Sequence, residues 1–149
     1  MTPKMESGFY LTLKSSTEIN WIDGNEHVNM SIYVRLLDKS VDLLVNLPGS
    51  VKSILPDGIG FVASRLKTAF VSELTHPTSF IMKAGFTSLN EFGFSSYHCI
   101  IVNEKKIARL YLKSSFFDLK TRNSAQISKV NLEKFELSIL PGIKSNYRF

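Results

Sequence analysis

Cysteine is almost missing from this sequence. Cys99 is the only one in 149 residues, which excludes an internal disulfide and any zinc site built from several thiolates. The three histidines, His27, His76 and His98, are too scattered for a histidine-rich metal site, so no metal is expected. No apolar run approaches the ~18 residues that a membrane-spanning helix needs. The opening MTPKMESGFY lacks the basic start and apolar middle of a secretory signal. No membrane association and a cytoplasmic location are therefore the expectation. A G-x-S-x-G nucleophile elbow is also absent, as are internal repeats and low-complexity segments.

What the chain does have is apolar mass. Its apolar content of 44%, with 11 Phe and 5 Tyr, fills one sizeable core, so residues 1–149 are read as a single domain. A net charge of +5 gives a mild attraction to anions and does not choose among nucleic acid, acidic lipid and a phosphorylated ligand. The basic residues form no recognisable nucleic-acid motif, and no nucleic-acid partner is expected.

Residues 8–14 alternate as an opening strand. Met30, Tyr33, Val34, Leu37, Val41, Leu44 and Val45 then recur at spacings of three and four, which predicts a helix over 30–46 with one apolar stripe. Asn29 is placed as its N-cap, and Pro48-Gly49 stop it. Strands are expected over about 60–71, 79–88, 92–102 and 107–118, with turns at SLNEFG and NEKK. The short turns favour antiparallel neighbours, giving an α+β fold in which a long antiparallel sheet carries one helix across a face. After Ser124 the pattern weakens to a possible helix at 128–138 and a flexible basic end.

Several motifs have a plain structural reading beside the chemical one. Gly58-Ile59-Gly60-Phe61-Val62-Ala63 matches G-x-G-x-x-A, but leads into a strand where a dinucleotide site requires a helix. Cys99 lies mid-strand among isoleucines, which predicts a buried structural thiol with His98 on the opposite face. His76, before Pro77, is expected on the surface. Asp23 and His27 differ, because they precede a helix whose first amides are unsatisfied and can receive a developing oxyanion. Two readings stay open there: a carboxylate poised to act on a carbonyl, or a cap and brace for the turn.

The stretch WIDGNEHVNMSIYV, residues 21–34, resembles the signature of hotdog-fold acyl-CoA thioesterases of the 4-hydroxybenzoyl-CoA thioesterase-like superfamily. It is most similar to the betainyl-CoA thioesterase branch of carnitine metabolism. Trp21, Asp23, Asn25, His27, Asn29 and Tyr33 fall in register with that branch's W-[IV]-D-Y-N-G-H-[ML]-N signature and the tyrosines after it. FVSELTHPTSF resembles a second segment through Phe70, Val71, Glu73 and Leu74, and SSFFDLKTR a third through Asp118, Leu119, Thr121 and Arg122. The resemblance covers about residues 8–124. Three departures stand out: Glu26 where the family has glycine, Gly24 in place of an aromatic, and His76-Pro77 in place of Gly-Asp.

The resemblance implies a hotdog fold, a long antiparallel sheet wrapped around a central helix, assembled as a homodimer or dimer of dimers. It implies hydrolysis of a carboxylic acyl-CoA, with coenzyme A entering only as part of the substrate and no separate cofactor. Asp23 is the implied base or nucleophile, with His27, Asn29 and Glu73 as further catalytic candidates. Amides around Val28 to Met30 would hold the oxyanion, and Tyr33 and Leu37 would line the acyl pocket. Arg122, Lys120 and Arg65 are the leading candidates for the coenzyme phosphates, with Lys83 and Lys113 behind them. A hydratase or dehydratase on the same fold, and a non-catalytic acyl-CoA-binding module, are the competing functions.

Overall fold

A computed structural model describes residues 4–6 and 8–140. Six strands, β1 (Lys4–Glu6), β2 (Phe9–Ser16), β3 (Ile59–Phe70), β4 (Ser79–Asn90), β5 (Gly93–Val102) and β6 (Lys105–Asp118), form one antiparallel sheet in the order β1-β2-β4-β5-β6-β3. A 3-10 turn at Ile19–Trp21 leads to helix α1 (Met30–Val45), and two one-turn helices follow, α2 (Val51–Ile54) and α3 (Lys129–Leu132). The α+β architecture and every long element agree with the sequence pattern to within about two residues. The β5–β6 turn is tighter than expected, because Asn103 and Glu104 both take left-handed backbone, φ 49° and 66°, and make a two-residue hairpin.

Helix α1 packs on β2, β4 and β5. Asn29 caps it by accepting a hydrogen bond from the Ser31 amide at 2.9 Å. Its buried stripe is Ile32, Tyr33, Leu36, Leu37, Ser40, Val41, Leu44 and Val45. The stripe is therefore rotated from the one predicted: Met30 and Val34 are exposed at 68% and 45%, while Ile32, Leu36 and even Ser40 face the sheet. At the far end Gly49 adopts φ +75° and accepts a hydrogen bond from the Glu136 amide at 2.9 Å. A Cβ there would lie 2.7 Å from Glu136, so only glycine both turns the chain and admits the C-terminal segment.

Of the helix expected at 128–138 only Lys129–Leu132 forms, capped by Ser128. The chain beyond it is spent on packing: Phe135 meets Phe86 edge to face at 5.2 Å, and the Leu140 amide donates to the Phe86 carbonyl at 2.8 Å. The basic end beyond residue 140 lies outside the described residues. Fully buried Phe86, Phe116, Leu44 and Leu110 make the centre of the core, each side chain stabilising the fold by roughly 1.5–3 kcal/mol.

One buried feature is polar. Thr12 Oγ1, Ser40 Oγ, His98 and Ser96 Oγ form a continuous hydrogen-bonded chain between α1 and the sheet, with links of 2.6, 2.7 and 2.8 Å. All four residues are buried. Burial holds the His98 imidazole neutral by lowering its pKa from 6.5 to about 3. Cys99, one residue on, points to the other face and packs with Tyr97, Tyr111 and Leu140, its thiol pKa raised by burial. The opposite facing of His98 and Cys99 is as the strand alternation predicts. His76 is half-buried and bonded to Thr17 Oγ1 at 2.8 Å, so it is a loop brace where a surface residue was expected.

Candidate active site at the entrance of the central helix

Trp21, 7% exposed, anchors the segment before α1 by packing on Phe80, ring centroids 6.2 Å apart. From there the chain makes a small closed loop. Ile22 bridges Val28, the Asp23 amide donates to the His27 carbonyl at 3.1 Å, and the Glu26 amide donates to the Asp23 carbonyl at 3.1 Å. Closing a loop this short places Glu26 at φ +63°, a conformation glycine adopts freely and glutamate does not. The loop's conformation thus matches the glycine of the family signature, and the residue does not.

Asp23 points its carboxylate back over this loop. Oδ1 accepts from the Asn25 amide at 2.8 Å, and Oδ2 from Asn29 Nδ2 at 3.4 Å. Because Asn29 also caps Ser31, it ties the carboxylate to the first turn of the helix. The Asn29 amide itself donates to the Trp21 carbonyl at 2.8 Å.

The loop after β3 is docked against the same entrance. Leu74, 1% exposed, accepts from the Val28 amide at 2.8 Å and donates from its own amide to Tyr33 Oη at 3.3 Å. That double tether carries Glu73 to the helix, where Glu73 Oε2 lies 3.2 Å from His27 Nδ1. Desolvation raises the Tyr33 pKa, the Leu74 amide opposes this, and the nearby Glu73 carboxylate adds to it, so the buried hydroxyl stays a neutral phenol.

Together these residues line a cleft of about 400 Å³: His27, Val28, Met30, Tyr33, Phe70, Val71, Ser72 and Glu73. The Tyr33 and Phe70 rings meet edge to face at 4.9 Å and form its apolar wall. The Val28 amide, expected to hold an oxyanion, is already committed to Leu74. Ser31 and Ile32 donate to Asn29. The amide of Met30, the first residue of the helix, has no hydrogen-bond partner among the described residues. A dipole-reinforced, unspent N–H beside a carboxylate and an imidazole is suited to stabilising charge on a carbonyl oxygen.

The structure thus brings together His27, Val28, Met30, Tyr33 and Glu73 in the cleft; Asp23 and Asn29 are not among its lining residues and join it through the loop and the helix cap. Leu37, 3% exposed, is core and does not line the cleft. The phosphate candidates lie elsewhere in the same subunit. Lys120 and Arg122 follow β6, where Asp118 Oδ1 accepts the Lys120 and Thr121 amides at 2.8 and 2.9 Å, bonds that lower the Asp118 pKa. Arg122, at φ +65°, rests over the Phe117 ring. Asp118 pairs with Ile59 and Ala108 with Phe70, so these cations are about 35 Å along β3 from the cleft at ~3.3 Å per residue. Arg65 is mid-strand, opposite Lys113. Phe70 and Val71 were matched to the family without a role, and their half exposure at the end of an edge strand explains their place in the cleft.

Among the described residues, no group of three or more His, Cys, Asp or Glu side chains could hold a metal, and no helix is long and apolar enough to cross a membrane.

The sequence profile of the thioesterase-like superfamily matches residues 17–135. No curated protein sequence matches the chain. Among solved structures, the probable thioesterase YbaW from Escherichia coli superposes with a TM-score of 0.73 at 15% identity, covering 84% of this chain and 98% of its own. The gentisyl-coenzyme A thioesterase BH1999 gives 0.69 at 15% identity, covering 83% and 98%. DHNA-CoA thioesterase from Staphylococcus aureus gives 0.67 at 10% identity, covering 80% and 79%. At such identities the likeness establishes the hotdog fold.

Proposed function

The chain belongs to the thioesterase-like superfamily, and on that premise we propose that it hydrolyses a carboxylic acyl-CoA to free acid and coenzyme A. The observation that carries this reading is the unspent Met30 amide at the mouth of α1, in a cleft that also holds His27 and Glu73. A thioester carbonyl seated there receives its oxyanion from that N–H and the helix end. Asp23 activates water or attacks the carbonyl itself, held in place by Asn25 and Asn29. His27 and Glu73 form a second pair that can take or return a proton. The leaving thiol, with a pKa of about 8.5, departs with little acid assistance.

The apolar wall of Tyr33 and Phe70 next to Glu73 supports an acyl group with a cationic head, in keeping with the resemblance to betainyl-CoA thioesterases. A homodimer, alone or paired into a dimer of dimers, accounts for the phosphate candidates. β3 is an edge strand with Val62, Leu66 and Phe70 each about half exposed, a surface that invites a second copy. Antiparallel pairing of two β3 strands about a two-fold axis would bring Lys120 and Arg122 of the partner subunit beside the cleft.

The test is thiol release from short, long, aromatic and betaine-like acyl-CoAs by the wild type, Asp23→Asn and Glu73→Gln. Loss of roughly 10²–10⁴ in kcat with Asp23→Asn supports its role. Loss confined to Glu73→Gln transfers the base to Glu73. No thiol release by the wild type from any substrate rejects hydrolysis of coenzyme A esters and leaves a binding module. Sedimentation of the wild type against Leu66→Lys tests the dimer, which the charge on the edge strand should dissociate.

A further inference from the structure

The long strands β2 to β6 contain eight lysines and arginines and a single carboxylate, Asp118, at the last position of β6. Part of that excess converges on one spot. Lys83, Cys99 and Arg109 are in direct register across β4, β5 and β6, on the face turned away from α1 and from the cleft. Neighbouring strands are ~4.8 Å apart, so the bases of the two cationic side chains flank the thiol. Lys106 lies on the same face, paired with Ile101 two residues beyond Cys99 on β5. Lys83 Nζ stands 4.6 Å from the Phe9 ring centroid and Lys106 Nζ 5.9 Å from that of Tyr97. The rings hold the ammonium groups in position without neutralising them.

Arg109 supplies the second observation. Its Nε is buried and has no hydrogen-bond partner among the described residues. A buried, charged N–H left unmade is costly, and such groups are ordinarily satisfied by an acceptor. The strand positions around it offer cations and no carboxylate. Like charges gathered across neighbouring strands destabilise a sheet unless something of opposite sign joins them.

We propose that Lys83, Lys106 and Arg109 form a binding site for a phosphate group on the outer face of the sheet, separate from the cleft. Arg109 offers a planar, rigid fork of N–H donors suited to phosphate oxygens, and the two lysines act as point charges on either side. The phosphate belongs to a small soluble ester or polyphosphate, or to an anionic lipid headgroup. The site is independent of what the cleft does, because the sheet lies between them.

The experiment is calorimetric titration of the full chain with pyrophosphate at low ionic strength, against chloride at matched ionic strength. A parallel flotation assay uses vesicles of equal phosphatidylcholine and phosphatidylglycerol. Binding of pyrophosphate that Arg109→Gln and Lys83→Gln each weaken at least tenfold, and that Lys14→Gln leaves unchanged, supports a soluble ligand. Flotation with the same variant pattern and no pyrophosphate binding supports a headgroup. Circular dichroism verifies folding, and Arg109→Lys, which keeps the charge and loses the fork, should fall between wild type and Arg109→Gln. Absence of both kinds of binding, or equal weakening by Lys14→Gln, overturns the site.

Discussion

Helix α1 carries two polar clusters, each containing a histidine, and they differ in what is left unsatisfied. At mid-helix, Ser40 joins Thr12, His98 and Ser96 in a sealed chain in which both His98 nitrogens have partners. At the helix entrance, His27 pairs with Glu73 in the wall of a cleft, Asp23 is held in the loop that carries His27, and the Met30 amide has no partner among the described residues. The first cluster has no unmade bond to offer a ligand and no space to admit one. The second has both. Residue type alone does not separate a structural histidine from a chemical one; open valence beside open volume does.

Removing charge from the open cluster should have the largest effect. Asp23→Asn keeps the shape of the side chain and an acceptor for the Asn25 amide and gives up only the long 3.4 Å bond from Asn29 Nδ2, so its melting temperature should stay close to wild type while kcat drops about a thousandfold, or ~4 kcal/mol. Steady-state thiol release and thermal melting of the same preparation check both halves. A large loss of stability with the loss of rate would make Asp23 a brace like Ser40.

Next in size is the response of the sealed cluster to acid. His98 titrates at about 3 in the folded protein and at 6.5 when unfolded. The unfolded chain therefore takes up the proton first, and the stability present above pH 6.5 is lost as pH falls toward 3, by up to about 1.4 kcal/mol per unit. Urea unfolding at pH 7.5, 6 and 5 measures the slope. His98→Gln should be less stable at pH 7.5 but show a shallower slope; an unchanged slope would place the acid-sensitive group elsewhere.

A smaller effect is expected from Ser40→Ala, which orphans His98 Nδ1 and leaves Thr12 Oγ1 only its 3.3 Å bond to the Met82 carbonyl. The cost is about 1–3 kcal/mol in unfolding free energy, with thiol release unchanged. A matching loss of activity would couple the two clusters through the helix.

How much of this was legible beforehand follows the same division. The long strands, α1 and its Asn29 cap were readable because alternation, helical spacing and cap chemistry are local. The likeness of whole segments put 23–29 and 73 in one site without giving their contacts, of which the structure supplies the pairing of His27 with Glu73. The rotated stripe of α1 was hidden, since Ser40 is buried only because His98, distant in sequence, meets it there. The commitment of the Val28 amide was hidden for the same reason, because its acceptor, the Leu74 carbonyl, comes from another loop. The separation of Arg122 from the cleft depends on strand order, and a turn that resembles its family says nothing of which end of a long ladder it occupies.

The smallest effect tests the strain in the open cluster. Glu26 sits at φ +63° in the loop that carries Asp23 and His27, a conformation that costs a residue with a Cβ about 1–2 kcal/mol. Glu26→Gly removes that cost and adds unfolded-state entropy of about 0.5–1 kcal/mol, so the net gain should be near 1 kcal/mol, or roughly 3 °C in melting temperature. Glu26→Ala removes the carboxylate and keeps the strain. If the glycine variant gains stability and the alanine variant does not, the backbone is the cause; if both gain equally, the charge beside Asp23 is. Thiol release by the two variants then separates the same pair of causes at the level of chemistry. A rate altered only by glycine means that the strained loop sets the position of Asp23, whereas a rate altered by both means that the Glu26 carboxylate acts on whatever enters the cleft.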